Sequence, residues 1–450
     1  MTVDIRVRKN RKAHWVLAFA SVALLTACSS NKPKPDQIFL MPAPDVYETG
    51  QIDPFIDNDP ISLGENPGIL FATDRKRAGP DDKKSRHFTF KRAQMLHLGE
   101  AHIQFGIDSV ADWEEAQRIS MQKERARNYP LEVADVDVFG VLESTISVAD
   151  DTTERSSEPG DRFFREVDER LARSGVKDVY IYVHGYRVDF ENPVLVAAEL
   201  WHFLGYTGAF IAYSWPTKNT MFGYFADLDS AINSARFLRN LILEISANTT
   251  AERIHVIGYS AGTRLVGRML ADFGIYGASM SDEELKSGTE LGNVILIGAD
   301  IDQDILAGYI FDGALRIPSA LTLYVSEADS ALRFSRFLFR GRERAGELLE
   351  RRPFSERERE FFRENPNLRI IDVSFAEDGT GGNGHSYFRS SPWVSSDLLM
   401  TLLYDMKPEE RGLYIEEDFP VWEFPPDYID RLRQGIERRA AELPADRLAP

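Results

Sequence analysis

The stretch RIHVIGYSAGTRLVGRML, residues 253–270, decides the fold. Its first part is a short apolar run with β-branched residues. Its second part sets Leu265, Met269 and Leu270 on one side of a helix. Between them stands Gly258-Tyr259-Ser260-Ala261-Gly262, a G-x-S-x-G. A chain of this length meets that pattern by chance about 0.1–0.2 times, so the match alone decides little. Its position decides more. A serine at a strand-to-helix turn, flanked by small residues, sits on a strained turn that exposes its hydroxyl, and Gly258, Ala261 and Gly262 are all small.

The runs around it share its character. VYIYVHGY (179–186), GAFIAYSWP (208–216), NVILIGAD (293–300), LTLYVS (321–326) and LRIIDVSF (368–375) are short, apolar and β-rich. Segments of helical pattern separate most of them: NPVLVAAELWHFL, LDSAINSARFLRNLILEI and GTRLVGRMLADF. Continuous apolar strands alternating with helices predict a mostly parallel sheet buried on both faces, an α/β protein. Folded structure is expected from about residue 65, with strands at Ile69–Ala72, 102–108 and 138–145. The charged run DRKRAGPDDKKSR (74–86) between the first two reads as a solvated loop.

Composition narrows the class. With 43% apolar and 28% charged residues in 450, the chain is globular rather than disordered. A formal charge of −18 argues against a nucleic-acid partner, which needs a basic surface. The N-terminus reads as a leader. Arg6, Arg8, Lys9, Arg11 and Lys12 precede the apolar run WVLAFASVALLTA, too short to span a bilayer comfortably but right for a signal peptide. It ends in Leu25-Thr26-Ala27-Cys28, which resembles a bacterial lipobox, and Cys28 is the only cysteine, so it has no disulfide partner. Residues 1–27 are therefore expected to be a lipoprotein signal peptide and Cys28 the lipidated (palmitate-bearing) residue. Loss of the leader removes five basic side chains and one acid, which moves the charge from −18 to −22. Attachment to a membrane would then rest on the lipid rather than on a basic patch. Ser29 after the cysteine resembles the pattern for the outer membrane, facing the periplasm. Residues 28–64, with Pro33, Pro35, Pro42 and Pro44, read as an extended tether.

A serine hydroxyl needs a base to take its proton, and on such a turn the acid and base follow the serine in the chain. Of eight histidines only His385 lies beyond Ser260, in the glycine-rich loop GTGGNGHSYF after a strand. The acid belongs just past a strand end between the two. Asp329, in LTLYVSEADSAL, is the first choice; Asp300 and Asp302, one strand earlier, are its rivals. His184-Gly185-Tyr186 ends a strand and resembles the oxyanion loop of esterases, which would make the backbone N–H groups of Tyr186 and Ala261 the oxyanion hole. His184 itself reads as a histidine bracing that loop.

YIYVHGYRVDF, AYSWPT, VIGYSAGTRL and YVSEADSAL together resemble the bacterial α/β-hydrolases long filed as a family of unknown function, related to lipases and esterases. The resemblance spans roughly residues 65–405. It implies the α/β-hydrolase fold and a serine esterase acting through an acyl-enzyme on an ester or acyl small molecule, with no defined substrate. Two other readings stand beside it: a non-catalytic scaffold binding an envelope partner, and acyl transfer to an acceptor other than water. The leader and a C-terminal extension, 406–450, depart from the resemblance; the extension closes the domain or mediates contacts.

Residues 333–363 hold ten arginines and six glutamates interleaved with Phe334, Phe337, Phe339, Phe354, Phe361 and Phe362. This predicts a helical insertion, either a cover for the sheet edge or a lid over the site. No cofactor or metal is called for. His97 and His102 in HLGEAH do not form H-E-x-x-H, and no G-x-x-x-x-G-K-[ST] is present for phosphates.

Overall fold

A computed structural model describes residues 37–56, 68–82, 85–105, 113–148, 150, 153–218, 224–338, 343–347, 354–376, 384–416 and 419–442. The expected leader and Cys28 lie outside the described residues. The N-terminal part holds β1 (Ile38–Phe39), β2 (Ile69–Arg77), β3 (Phe88–Phe105), α1 (Trp113–Ser120), β4 (Pro130–Val141) and α2 (Glu158–Ser174). The alternating part follows as β5 (Asp178–Val183), α3 (Glu191–Phe203), β6 (Ala209–Tyr213), α4 (Tyr224–Asn248), β7 (Arg253–Tyr259), α5 (Gly262–Tyr276), α6 (Asp282–Thr289) and β8 (Leu291–Ile297). It continues through α7 (Gln303–Phe311), β9 (Ala320–Val325), α8 (Ser330–Leu338), α9 (Glu356–Glu364) and β10 (Leu368–Asp372). The chain closes with α10 (Tyr387–Ser390), α11 (Pro392–Tyr404), β11 (Tyr414–Glu416), β12 (Phe419–Glu423) and α12 (Tyr428–Glu442).

Among the described residues, all twelve strands form one sheet in the order β1-β4-β3-β2-β6-β5-β7-β8-β9-β10-β12-β11. Its centre, from β2 to β12, is parallel, and the antiparallel pairings lie toward its two ends. The alternation along β5 shows why the fold is layered. Val179, Ile181 and Val183 pack with α2, α4 and α5, while Tyr180 and Tyr182 pack with α3, α11 and α12 on the opposite face. All five are buried, and each of the valine and isoleucine side chains contributes about 1.5–3 kcal/mol. From β5 the chain runs first to β6 on one side and then back to β7 on the other. The β5 and β7 loops therefore part at the carboxyl ends of their strands, where open α/β sheets leave a crevice for ligands.

The structure revises two local expectations and selects between the two readings of a third segment. The tether is built in from β1 onward: β1 pairs with β4, and Met41, Val46, Tyr47 and Phe55 are buried. Met41 N donates to Glu199 Oε1 (2.6 Å) and Tyr47 Oη to Phe203 O (2.6 Å). An irregular segment spends its apolar residues one at a time, so it carries no period to recognise. The expected solvated loop at 74–86 begins as strand instead. β2 runs on to Arg77, and Asp74 and Arg75 are completely inaccessible, Asp74 accepting from Ser234 Oγ and Arg75 donating to Ser214 Oγ. At the other end, β12 joins β10 in parallel and α12 buries Tyr428, Leu432 and Ile436, so the segment beyond 405 completes the core of the same domain.

The 333–363 segment contributes α8 and α9, with a strap between them pressed onto the strand ends. Ala345 N and Gly346 N donate to Ile301 O and Ala299 O (both 2.9 Å), and Ser326 N donates to Gly346 O (3.1 Å). α9 starts with a capping box, Ser355 with Glu358, and sets Phe361 against Phe311 and Phe362 against Phe354. It roofs a cavity of about 1010 Å³ whose floor includes Leu323, Ile370 and Val421.

Candidate active site

β7 delivers Ser260 at its carboxyl end with φ +52°, in the left-handed region that only a constrained turn imposes on a serine. The turn is locked by its own backbone. Ser260 N donates to Ile297 O (2.9 Å), and Ser260 O accepts from Thr263 N (3.0 Å) and Thr263 Oγ1 (2.6 Å). The small neighbours have steric reasons. A Cβ on Gly262 would strike His184 O, and one on Gly185 would stand 2.8 Å from Ser260 Cβ. The loop after β5 is thus laid directly on the elbow, which brings Gly185 beside Ser260 and His184 beside Gly262.

His385 reaches the same point from the loop before α10. Its Nε2 lies 2.8 Å from Ser260 Oγ and its Nδ1 2.6 Å from Asp329 Oδ2. A carboxylate only accepts, so Nδ1 carries the hydrogen and Nε2 is left to accept from the serine hydroxyl. Asp329 is buried, and its other oxygen, Oδ1, accepts from Ala331 N and Leu332 N (3.0 Å each) at the start of α8. The three residues therefore form one continuous hydrogen-bonded chain. The rivals are engaged elsewhere. Asp302 caps α7 through Asp304 N (3.1 Å) and Ile305 N (3.4 Å), and Asp300 accepts from Ser335 Oγ (2.5 Å) with Arg264 and Arg344 nearby. His97 and His102 lie on β3; His97 is packed edge-on against Phe88, and burial pushes its pKa down to about 4.

Three residues that sequence reasoning passed over shape this site. Gly298, with φ +53°, follows β8 where a Cβ would stand 3.0 Å from His385 Cε1 and 3.4 Å from Asp329 Oδ2. Tyr387 Oη accepts from Gly298 N (2.7 Å) and donates to Tyr324 O (2.8 Å), tying the histidine loop to two strand ends. The Tyr259 ring lies 5.1 Å from that of His385, and its hydroxyl is 3.2 Å from Ser386 Oγ. The glycine just past NVILI was a visible signal; the two tyrosines carried none.

A family model described as "Alpha/beta hydrolase of unknown function (DUF900)" matches residues 161–402, more than half of the chain. The chain belongs to this family. The matched span runs from α2 to α11 and contains the serine, the carboxylate and the histidine. Among solved structures, the chain is similar to esterase 2 of Thermogutta terrifontis phosphoramylated by tabun, at 13% identity over 49% of this chain and 78% of that one, with a TM-score of 0.26. It is also similar to esterase B of Lactobacillus rhamnosis inhibited by a tributyrin phosphonate, at 11% identity over 59% and 79%, with a TM-score of 0.28. Superposition this loose says nothing about shared chemistry. Among curated proteins, none matches the sequence.

Proposed function

We propose that the protein is a serine hydrolase of carboxylic esters. The observation that carries this reading is the unbroken chain Ser260 Oγ–His385–Asp329, at 2.8 and 2.6 Å, set on an elbow held at positive φ. Ser260 Oγ attacks the ester carbonyl carbon while its proton passes to His385 Nε2. The carbonyl oxygen becomes an oxyanion facing the N–H groups of Tyr186 and Ala261. The intermediate collapses, His385 returns the proton to the leaving alcohol, and an acyl-enzyme remains. Water then attacks the acyl carbon, gives its proton to His385 and releases the acid; the same proton restores the serine hydroxyl. Asp329 accepts from Nδ1 throughout and steadies the imidazolium that forms twice per turnover.

Labelling with a fluorophosphonate tests the reading without knowledge of the substrate. Ser260 is expected to label, and Ser260→Ala and His385→Ala to abolish labelling, because an unassisted hydroxyl is nearly inert. Equal labelling of wild type and His385→Ala rejects it. A panel of esters of increasing chain length then reads the acyl preference.

The same proposal places the protein in the cell envelope, anchored by lipid on Cys28 after removal of residues 1–27. It is supported by the cationic leader, the 13-residue apolar run and the lone cysteine at its end. Metabolic labelling with a palmitate analogue is expected to mark the wild type and not Cys28→Ser. Persistent label on the variant rules out Cys28.

A further inference from the structure

Arg75, near the end of β2, is completely buried and joins three strand ends beside the site. Its Nε donates to Ser214 Oγ (2.9 Å), just past β6, and its Nη2 donates to Val188 O (3.0 Å) in the loop after β5. Nη2 also stands 3.3 Å from His184 Nε2. Burial pulls the guanidinium pKa down to about 10, against the pull of Asp189, Asp74, Glu191 and Asp227, so it remains a cation at neutral pH. Its Nη1 is buried with no hydrogen-bond partner. An apolar side chain of similar length would fill the volume without that cost, so stability alone does not account for a guanidinium here.

His184 faces two carbonyls with one proton to give. Nδ1 is 2.7 Å from Gly185 O, and Nε2 is 3.0 Å from Trp215 O. Burial, and after it the Arg75 charge, push its pKa well below the ordinary range, so the ring is neutral and one nitrogen carries the hydrogen. A guanidinium has only donors, so the nitrogen facing it must accept. The hydrogen therefore sits on Nδ1 and goes to Gly185 O. Trp215 fixes the plane of this ring: it stacks on it at 5.4 Å and 15°, and its Nε1 donates to His184 O (2.7 Å).

The peptide between Gly185 and Tyr186 is planar and trans, so its C=O and N–H point in opposite directions. Holding Gly185 O toward the imidazole turns Tyr186 N–H away from it. We propose that Arg75, by keeping the His184 hydrogen on Nδ1, sets the plane of the Gly185–Tyr186 peptide and so aims Tyr186 N–H at the oxyanion. This rests on the serine-hydrolase reading above. Arg75 and His184 are positioning residues; neither touches the reacting atoms. Without Arg75, the hydrogen is free to move to Nε2 and Trp215 O, and the peptide loses its anchor.

Two amide substitutions separate this role from general bracing. The Asn side-chain nitrogen lies as many bonds from Cβ as Nδ1 does, whereas the Gln nitrogen reaches toward the Nε2 position. The readout is phosphonylation of Ser260 by a fluorophosphonate, whose transition state also places charge on an oxygen in the hole. His184→Asn is expected to keep the maximal labelling rate within about fivefold of wild type. His184→Gln and Arg75→Met are expected to lower it about 100-fold, the cost of one oxyanion donor, with half-saturating probe unchanged. Nitrogen-15 shifts of the His184 ring in labelled protein should show hydrogen on Nδ1 in the wild type and on Nε2 in Arg75→Met. If Arg75→Met does not fold, the Asn/Gln pair and the wild-type shifts still decide. Equal rates for the Asn and Gln variants, or hydrogen on Nε2 in the wild type, overturn the proposal. Labelling that survives in Ser260→Ala overturns the serine-hydrolase reading instead and leaves the ring's tautomer to be read by itself.

Discussion

Asp329 divides its two oxygens between a helix and a histidine, and the division makes its removal selective. In Asp329→Asn the amide oxygen can still accept at the start of α8, so folding should change little. The amide nitrogen then faces His385 Nδ1 and drives its hydrogen to Nε2, which can no longer take the serine proton. Turnover is expected to fall by about four orders of magnitude with an unchanged melting temperature; a variant that loses both together would make Asp329 chiefly a structural cap. Asp74 offers a second test. Burial raises its pKa to about 7, against the hydrogen bond from Ser234. A raised acid binds its proton in the folded state while the unfolded chain has already lost it. Stability is thus present in full below about pH 4, falls as pH climbs toward 7, and is level above, by roughly 4 kcal/mol in all. Asp74→Asn stays neutral, so its advantage in urea midpoint should be larger at pH 8 than at pH 5; a constant offset contradicts this. Legibility at this scale followed chemistry. Ser260 stood in a motif and His385 was the one histidine beyond it, but Arg75 lay in DRKR, where nothing distinguishes a buried, partnered cation from a solvated one.

Among elements, the runs that became β5 to β10 were readable because a strand buried on both faces has few polar positions to blur it. β3 was not, since only its last part, around 102–105, stood out of an eighteen-residue strand that mixes polar and apolar residues. The insertion was foreseen as helical with its role left between lid and edge cover. α9 has no fully buried residue, and Phe361 and Phe362 line the cavity above Leu323, Ile370 and Val421 rather than meeting Ser260. Phe361→Ser with Phe362→Ser is therefore expected to lower stability by about 1–3 kcal/mol per side chain and to reduce ester hydrolysis evenly across chain lengths. A loss confined to long-chain esters would restore the lid.

For the molecule as a whole, closure of the core depends on residues beyond 405. Asp397 on α11 accepts from Arg411 Nε (2.7 Å) and Nη2 (3.0 Å), from Tyr428 Oη (2.8 Å) and from Tyr324 Oη (2.6 Å), all of them buried. One carboxylate thus joins β9, α11 and α12. Arg411→Met leaves that charge inside without its counter-ion and should cost about 3–5 kcal/mol in chemical denaturation. A cost under 1 kcal/mol would mean the two tyrosine hydroxyls suffice. The sequence suggested a tail at this point because its partners lie far back in the chain, where no local pattern points to them. The shape of the sheet has one more consequence, for how copies meet. An open sheet of twelve strands has two margins along which another chain can be added by main-chain hydrogen bonds. Among the described residues one margin is β1 together with the part of β4 from Glu132 to Val141 that lies beyond its two paired residues, and the other is β11, three residues long. A margin as brief as β11 gives an incoming strand too few bonds to hold a register, whereas the longer run of β4 does not, so a second copy adding edge to edge would meet this sheet on the β4 side.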